Sequence, residues 1–260
     1  MNNIAFNYDE YLGPYLFEPY ALDLVERLQL NDTERILEVA CGTGRLTKHL
    51  VKILNANCQL VATDINEEML AIAKQKITDK RLAYQTADAH TLNFPSNTFN
   101  LVICQFGLMF FQDKQKALQE IIRVLKPGGR FLFNIWGKAD DNPMSALMQQ
   151  IVSEIFKEKS PDFNNRGPYS TDINVIAELL EVVGFTNVTT EVVKKEAPYY
   201  SIDDFLKGFL YGSPLATFLG KQEIELQNQL QQQYKEEVEK YYNGKLKVTM
   251  LAYVISAMKG

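Results

Sequence analysis

An open, doubly wound α/β sheet is the fold class this sequence predicts, and two observations predict it. From Arg35 to Trp136, short apolar runs alternate with helical apolar spacing across short connections, the pattern of parallel strands joined by right-handed crossovers. The first run, with Ile36, Leu37 and Val39, passes directly into a loop holding Gly42 and Gly44, and a helical pattern opens near Arg45. That is how a nucleotide-binding loop is built at the end of a parallel strand. Glycine accepts positive φ and lets a ligand lie against bare backbone, while the amides opening the next helix point at it. In the dinucleotide fingerprint G-x-G-x-x-G a third glycine brings helix and strand together around a pyrophosphate. Here that position is Thr47, which disfavours a pyrophosphate ligand.

Taken in order, residues 4 to 30 mix aromatics (Phe6, Tyr8, Tyr11, Tyr15, Phe17, Tyr20) with Pro14 and Pro19 before ALDLVERLQL, which has helical spacing. This predicts a loose aromatic arm followed by a helix. The tyrosines either pack on the domain surface or form a lid with Tyr11 facing the ligand. After the glycine loop come the helix RLTKHLVKILN and the strand CQLVATD, which ends on Asp64. A carboxylate about twenty residues past the glycines stands where a ribose meets the second strand. An aspartate there is also a common cap of the following helix, here INEEMLAIAKQK, so the glycine loop and Asp64 are informative jointly. The strand RLAYQTA leads to Asp88 on the same sheet edge, and NLVICQF is a fourth strand. The helix KQKALQEIIRVLK is closed by Pro127, Gly128 and Gly129, and RFLFNIW is a fifth strand.

Beyond Trp136 the alternation lapses. NPMSALMQQIVSEIFKEK is an inserted helix, followed by a loop with Arg166, Gly167, Pro168 and Tyr169. TDINVIAELLEVVG is a capped amphipathic helix and FTNVTTEVVKKEA an alternating strand. Residues 201 to 243 are largely helical, and KVTMLAYVISAMK is a last strand; two strands separated in this way predict an antiparallel pair with a helical cap between them.

Composition bounds the function. A hydrophobic fraction of 46% with 23% charged residues is that of a globular protein with a substantial core. The net charge of -5, with no dense basic stripe beyond Lys194 and Lys195, excludes nucleic acid as the first expectation. Three cysteines, Cys41, Cys58 and Cys104, lack C-x-x-C spacing; neither a disulfide framework nor a metal site is expected, and a reducing, cytoplasmic setting fits. No stretch of 18 apolar residues occurs, so no membrane span is expected.

The pieces ILEVACGTGRLT, VATDINEEML, TADAHTLNFPSNTFNLVICQF and RVLKPGGRFLFNIW come in one order over about a hundred residues, and in that order the chain resembles the class I S-adenosylmethionine-dependent methyltransferases, in the group that includes ubiquinone and menaquinone biosynthesis enzymes. The resemblance implies a Rossmann-like, doubly wound seven-stranded sheet, mostly parallel with an antiparallel last strand, plus a helical cap. It implies S-adenosyl-L-methionine as cofactor, with S-adenosyl-L-homocysteine as product. Glu38, Gly42 and Gly44 hold the amino acid end, Gly44 by close approach and Glu38 by contact with the ammonium, within a loop that includes Ala40 and Thr43. Asp64 takes the ribose hydroxyls, Ile65 and Met69 pack on adenine, and Asp88 with the Ala89 amide reads its polar edge. Gln105 and Phe106 lie near the methionine part, and Tyr11 belongs to the cofactor set through the arm. His90 is expected to be surface chemistry and not a base. Trp136, Tyr169 and Tyr211 are candidates to line the acceptor site. One methyltransferase domain is expected, divided into an arm and helix (1–30), a cofactor-binding core (31–136), an inserted helix and loop (137–170) and a C-terminal part (171–260) with its cap insertion (201–243).

A sulfonium makes its methyl group electrophilic, so in-line displacement asks the protein mainly for alignment and exclusion of water. No general base is identified; His49 is expected to be an exposed helix residue. CQFG at the exit of the fourth strand lacks the N-P-P-Y-like turn that grips planar amines, and together with the acidic charge this favours a small, partly apolar acceptor. Two other readings stay open: a cofactor-binding regulator or partner subunit without turnover, and a nucleotide-dependent oxidoreductase, against which the missing glycine counts. Oligomeric state is not legible.

Overall fold

In a computed structural model the structure describes residues 3–32, 34–161, 169, 171–197, 201–242 and 248–260. Arg166, Gly167, Pro168 and Asn243 lie outside them. Seven strands form one sheet: β1 (Arg35–Val39), β2 (Gln59–Asp64), β3 (Leu82–Thr86), β4 (Phe99–Gln105), β5 (Leu125–Trp136), β6 (Phe185–Ala197) and β7 (Val248–Lys259). Their order is β3-β2-β1-β4-β5-β7-β6. The first five pair in parallel and β7 runs antiparallel to β5, with Arg130 opposite Met258 and Trp136 opposite Ala252. The doubly wound, mostly parallel sheet with an antiparallel last strand is thus as expected from the sequence.

The order reverses between β1 and β4, which puts the ends of β1, β2 and β3 side by side on the edge where open α/β sheets bind ligands. Helices α3 (Thr47–Ile53), α4 (Glu67–Lys76), α5 (Lys114–Val124) and α7 (Ile173–Val183) follow strands or flank them; before these come α1 (Ile4–Asn7) and α2 (Glu18–Glu26), and α6 (Pro143–Phe156) lies between α5 and α7. Alternation along the strands fills one face: Leu37, Val102, Phe131, Phe133 and Ile255 pack with Leu118 and Ile121 of α5 and Ile176 and Leu180 of α7.

The chain divides into two compact units. The sheet unit comprises residues 20–137, 171–193 and 252–260; the other comprises 1–19, 138–170 and 194–251. In the second unit, α8 (Ile202–Gly212), α9 (Leu215–Leu219) and α10 (Ile224–Tyr242) join α6. The Tyr234 hydroxyl donates to the Met144 carbonyl at 3.0 Å, Phe156 meets Phe218 edge to face, and Phe205 and Phe209 are buried beside Tyr234. The cap aromatics therefore form a packed helical core.

Two expectations are corrected. The arm is not loose: α1 is capped by Asn3 and continues into a π-helical segment, Tyr8–Phe17, that holds Pro14. Its backbone lies against α8 at two glycines. A Cβ on Gly208 would sit 2.8 Å from the Tyr11 carbonyl oxygen, and one on Gly212 would sit 2.6 Å from the Tyr8 nitrogen. The fifth strand also begins earlier than RFLFNIW, because Leu125 already pairs with Phe99 before a bulge that precedes Leu101. Pro127 suits that interruption, since it has no N–H to place in the ladder. Among the described residues no helix is long and apolar enough to cross a membrane.

Candidate cofactor site

All of the expected cofactor residues except Tyr11 lie in the sheet unit. The loop after β1 winds through three left-handed residues, Ala40 (φ 57°), Gly42 (φ 57°) and Gly44 (φ 83°). Alanine at positive φ is strained, and the neighbours hold it: Cys41 N donates to the Thr63 carbonyl at 2.9 Å and Gly44 N to the Cys41 carbonyl at 3.0 Å. Thr43 is buried. Gly42 N donates to Asp64 Oδ2 at 2.8 Å, tying the loop to the end of β2.

Asp64 is not the cap of α4. Asn66 takes that role, accepting from the Glu68 and Met69 amides, while its own amide donates to Asp64 Oδ1 at 2.8 Å. A carboxylate has about four acceptor positions, so the backbone amides around Asp64 do not fill it and leave room for a hydroxyl donor. Burial raises the Asp64 pKa, opposed by the amides of Asn66, Gly42 and Ile65. Beside it Ile65 is 66% exposed, a large apolar side chain left bare, and Met69 is half-buried. Asp88 follows β3, with its side chain 46% exposed and its pKa lowered by hydrogen bonds from the His90 amide and ring.

Glu38 lies in the central strand between β2 and β4 and is 1% exposed. Its Oε2 accepts from the Thr47 hydroxyl at 2.7 Å, and Thr63 Oγ1 donates to its carbonyl at 2.9 Å. Burial pushes the Glu38 pKa up to about 8, opposed by Thr47 and assisted by the Asp64 charge. Thr47, where a third glycine would stand, is thus a hydrogen-bond partner of the buried acid. Sequence reasoning missed this; the signal available was a hydroxyl residue one helical turn beyond the loop.

The structure adds packing roles to several of these residues. Gly44 makes room for α4: a Cβ there would lie 2.6 Å from Ile77 Cδ1 and 3.2 Å from Ala73 Cβ. Phe106 is a core residue, with φ of 51°, stacked on Trp136 at 3.9 Å and edge to face with Tyr20 at 5.3 Å. Its amide donates to Asn134 Oδ1 at 2.9 Å, while Asn134 Nδ2 is buried with no partner among the described residues. Trp136 accordingly packs in an aromatic cluster and lines no open surface. Gln105 is half-buried at the end of β4 and Ala89 is buried. His90 joins Asp88 and the loop before α5 and is not mere surface chemistry. His49 is half-buried, and burial pushes the pKa of the Cys41 thiol up.

Tyr11, Tyr169 and Tyr211 belong to the other unit. Lys207 Nζ stands 5.2 Å from the Tyr11 ring, Tyr169 bonds Ser145 Oγ at 2.5 Å with burial pushing its pKa up to about 12, and the Tyr211 carbonyl accepts from Asn7 Nδ2. A cavity of about 220 Å³ opens at the opposite sheet edge, lined by Asn31, Glu34, Asn100, Lys126 and Arg130, and includes none of the expected site residues.

An open, mostly parallel sheet with this strand order and an antiparallel seventh strand defines a Rossmann-like fold. Residues 37–133 match the family model described as a methyltransferase domain. The chain is 38% identical over 130 residues to the ubiquinone/menaquinone biosynthesis C-methyltransferase UbiE of Saccharophagus degradans, covering 48% of this chain and 51% of that one. To the enzyme of the same name from Yersinia enterocolitica it is 39% identical over 170 residues, covering 60% and 68%. The chain thus spans about half of the first relative and two thirds of the second. A phosphoethanolamine N-methyltransferase 2 from Haemonchus contortus, solved with S-adenosyl-L-methionine, superposes with a TM-score of 0.62 at 22% identity, covering 98% of this chain and 56% of that one. The chain belongs to the class I S-adenosylmethionine-dependent methyltransferases, in the methyltransferase-domain group with these C-methyltransferases. The residues on the sheet edge fit that cofactor: two acceptor-only carboxylates, Asp64 and Asp88, suit the hydroxyl and amine donors of a nucleoside, and the bare Ile65 suits a base.

Proposed function

We propose that this chain transfers the methyl group of S-adenosylmethionine to a small, partly apolar molecule in the cytoplasm. The observation that carries the reading is the gathering of Asp64, Asp88 and the loop of Gly42 on adjacent strand ends, with Ile65 exposed between the carboxylates in sequence. Asp64 accepts from the ribose hydroxyls, Ile65 and Met69 flank adenine, and Asp88 takes the adenine amine. Glu38 and the Gly42 loop hold the amino acid end. The bound sulfonium supplies an electrophilic methyl, so the chain needs no nucleophile of its own; its residues align the cofactor and exclude water.

Support for the acceptor comes from two sides. The acidic net charge of -5 disfavours polyanions. The relatives are named for carbon methylation in ubiquinone and menaquinone biosynthesis, so a carbon of a precursor in those syntheses is the first acceptor to test. The cytoplasmic setting is supported by three free, buried thiols.

Calorimetric titration with S-adenosylhomocysteine is expected to show binding on the micromolar scale, about the usual range for enzyme ligands. Asp64→Ala weakens it by about tenfold or more, through loss of charge-assisted hydrogen bonds. Undiminished binding in that variant overturns the site. Transfer of labelled methyl to quinone precursors tests the acceptor; binding without transfer to any acceptor overturns the enzymatic reading in favour of a binding subunit.

A further inference from the structure

His90 sits two residues past Asp88 in the tight turn after β3, where Thr91 N donates to the Asp88 carbonyl at 3.0 Å. Its backbone amide donates to Asp88 Oδ1 at 2.9 Å, and its ring Nδ1 lies 2.6 Å from the same oxygen. The far ring nitrogen, Nε2, accepts from the Asp113 amide at 3.3 Å. A nitrogen that accepts carries no proton, so the ring proton belongs on Nδ1 and is donated to Asp88. The ring also meets Phe111 edge to face at 5.8 Å. Both ends of the imidazole are therefore used, one on the carboxylate after β3 and one on the residue that caps α5 through its own side chain.

The consequence for Asp88 is geometric. Oδ1 is occupied twice by one residue, and Oδ2 has no partner among the described residues, on a side chain that is 46% exposed. A lone aspartate in a turn rotates freely about its outer torsion and would have to be ordered when a ligand arrives. An aspartate gripped at one oxygen is ordered beforehand, which lowers the cost of binding. We propose that His90 is a positioning residue for adenine recognition: it fixes Asp88 Oδ1 and so presents Oδ2 to the adenine amine, while anchoring that carboxylate to the loop before α5. The inference rests on the reading of Asp88 as the partner of the adenine amine.

The test compares binding of S-adenosylhomocysteine with binding of S-inosylhomocysteine, in which a 6-oxo group replaces the amine. The full chain is expected to prefer the adenosyl ligand by about tenfold or more, because an oxo group facing a carboxylate leaves an acceptor against an acceptor. His90→Phe, which keeps the ring contact to Phe111 and removes both nitrogens, brings the preference down to within about threefold. His90→Asn, whose amide stands near the place of Nδ1, restores it, although the bond to Asp113 is gone. A merely structural histidine would change both affinities together and leave their ratio alone. Circular dichroism establishes that each variant is folded, and His90→Ala replaces the Phe variant if that one is not. A full preference retained in His90→Phe or His90→Ala, with the preference lost in Asp88→Asn, overturns the positioning role and leaves the site reading standing. A full preference retained in Asp88→Asn overturns the site reading and the positioning role with it.

Discussion

Glu38 is an acid in the middle of a parallel sheet, and its neighbours decide its charge. The hydroxyl and the backbone amide of Thr47 do not replace the water it lost, and with the Asp64 charge nearby burial pushes its pKa up to about 8. The sign of the resulting pH dependence follows. Unfolded, the group titrates near its ordinary value of 4.5, so between that value and about 8 the folded state holds more protons than the unfolded one. Stability from this group is fully present below the ordinary value and is lost as pH rises through the folded value. Urea unfolding of the full chain is expected to show a falling stability across that window, and Glu38→Gln, neutral throughout, to remove that part of the slope. An unchanged slope in the variant means that Glu38 is charged in the folded protein. Gly42, Asp64 and Asp88 stood out as candidates because their spacing reflects strand ends, and Glu38 only through the family resemblance. Thr47, Asn66 and His90 did not, since their roles depend on which side chain meets which acceptor across the loop.

At the scale of elements, the junction of β1 with α3 and α4 shows how a glycine read from a loop motif also serves the packing of a helix. Gly44 is needed for its φ of 83° and for the closeness of α4, whose Ala73 and the following Ile77 fill the place of a side chain. Gly44→Ala is expected to cost about 1–3 kcal/mol in urea unfolding, from positive φ and overpacking together. Combined with Ile77→Ala, the loss should be smaller than the sum of the two single losses, because the clash at Ile77 Cδ1 disappears while the backbone strain remains. Simple additivity would place the whole cost in the backbone. The N-terminal arm teaches the complementary point. Tyrosines and prolines signalled irregular structure, yet Gly208 and Gly212, some two hundred residues later, let a π-helical segment lie against α8. Local propensity does not contain so distant a contact.

On the scale of the molecule, the sheet unit is assembled from three stretches of chain, and β7 closes it. Ile255 and Ala257 belong to the core that α5 and α7 cover, and the backbone of β7 pairs with β5 from Arg130 to Trp136. A chain cut after residue 247 would lose those side chains and bare the ladder of β5, an exposed edge in the middle of an apolar sheet. It is expected to lose its cooperative urea transition and to aggregate; a sharp transition at the full-length midpoint would show that β7 is dispensable.

What the sequence determined by itself is the class of fold, its parallel order of strands and helices, and the family, because apolar periodicity, turn residues and the spacing of acids after strands are local properties that the chain cannot hide. What only the tertiary structure decided is the use of individual side chains: that Gly44 yields to a helix, that Phe106 and Trp136 stack in the interior, that Asn66 frees Asp64 from capping, and that His90 grips Asp88. Those assignments rest on distances between residues far apart or differently oriented in the chain, and no pattern along one dimension fixes them.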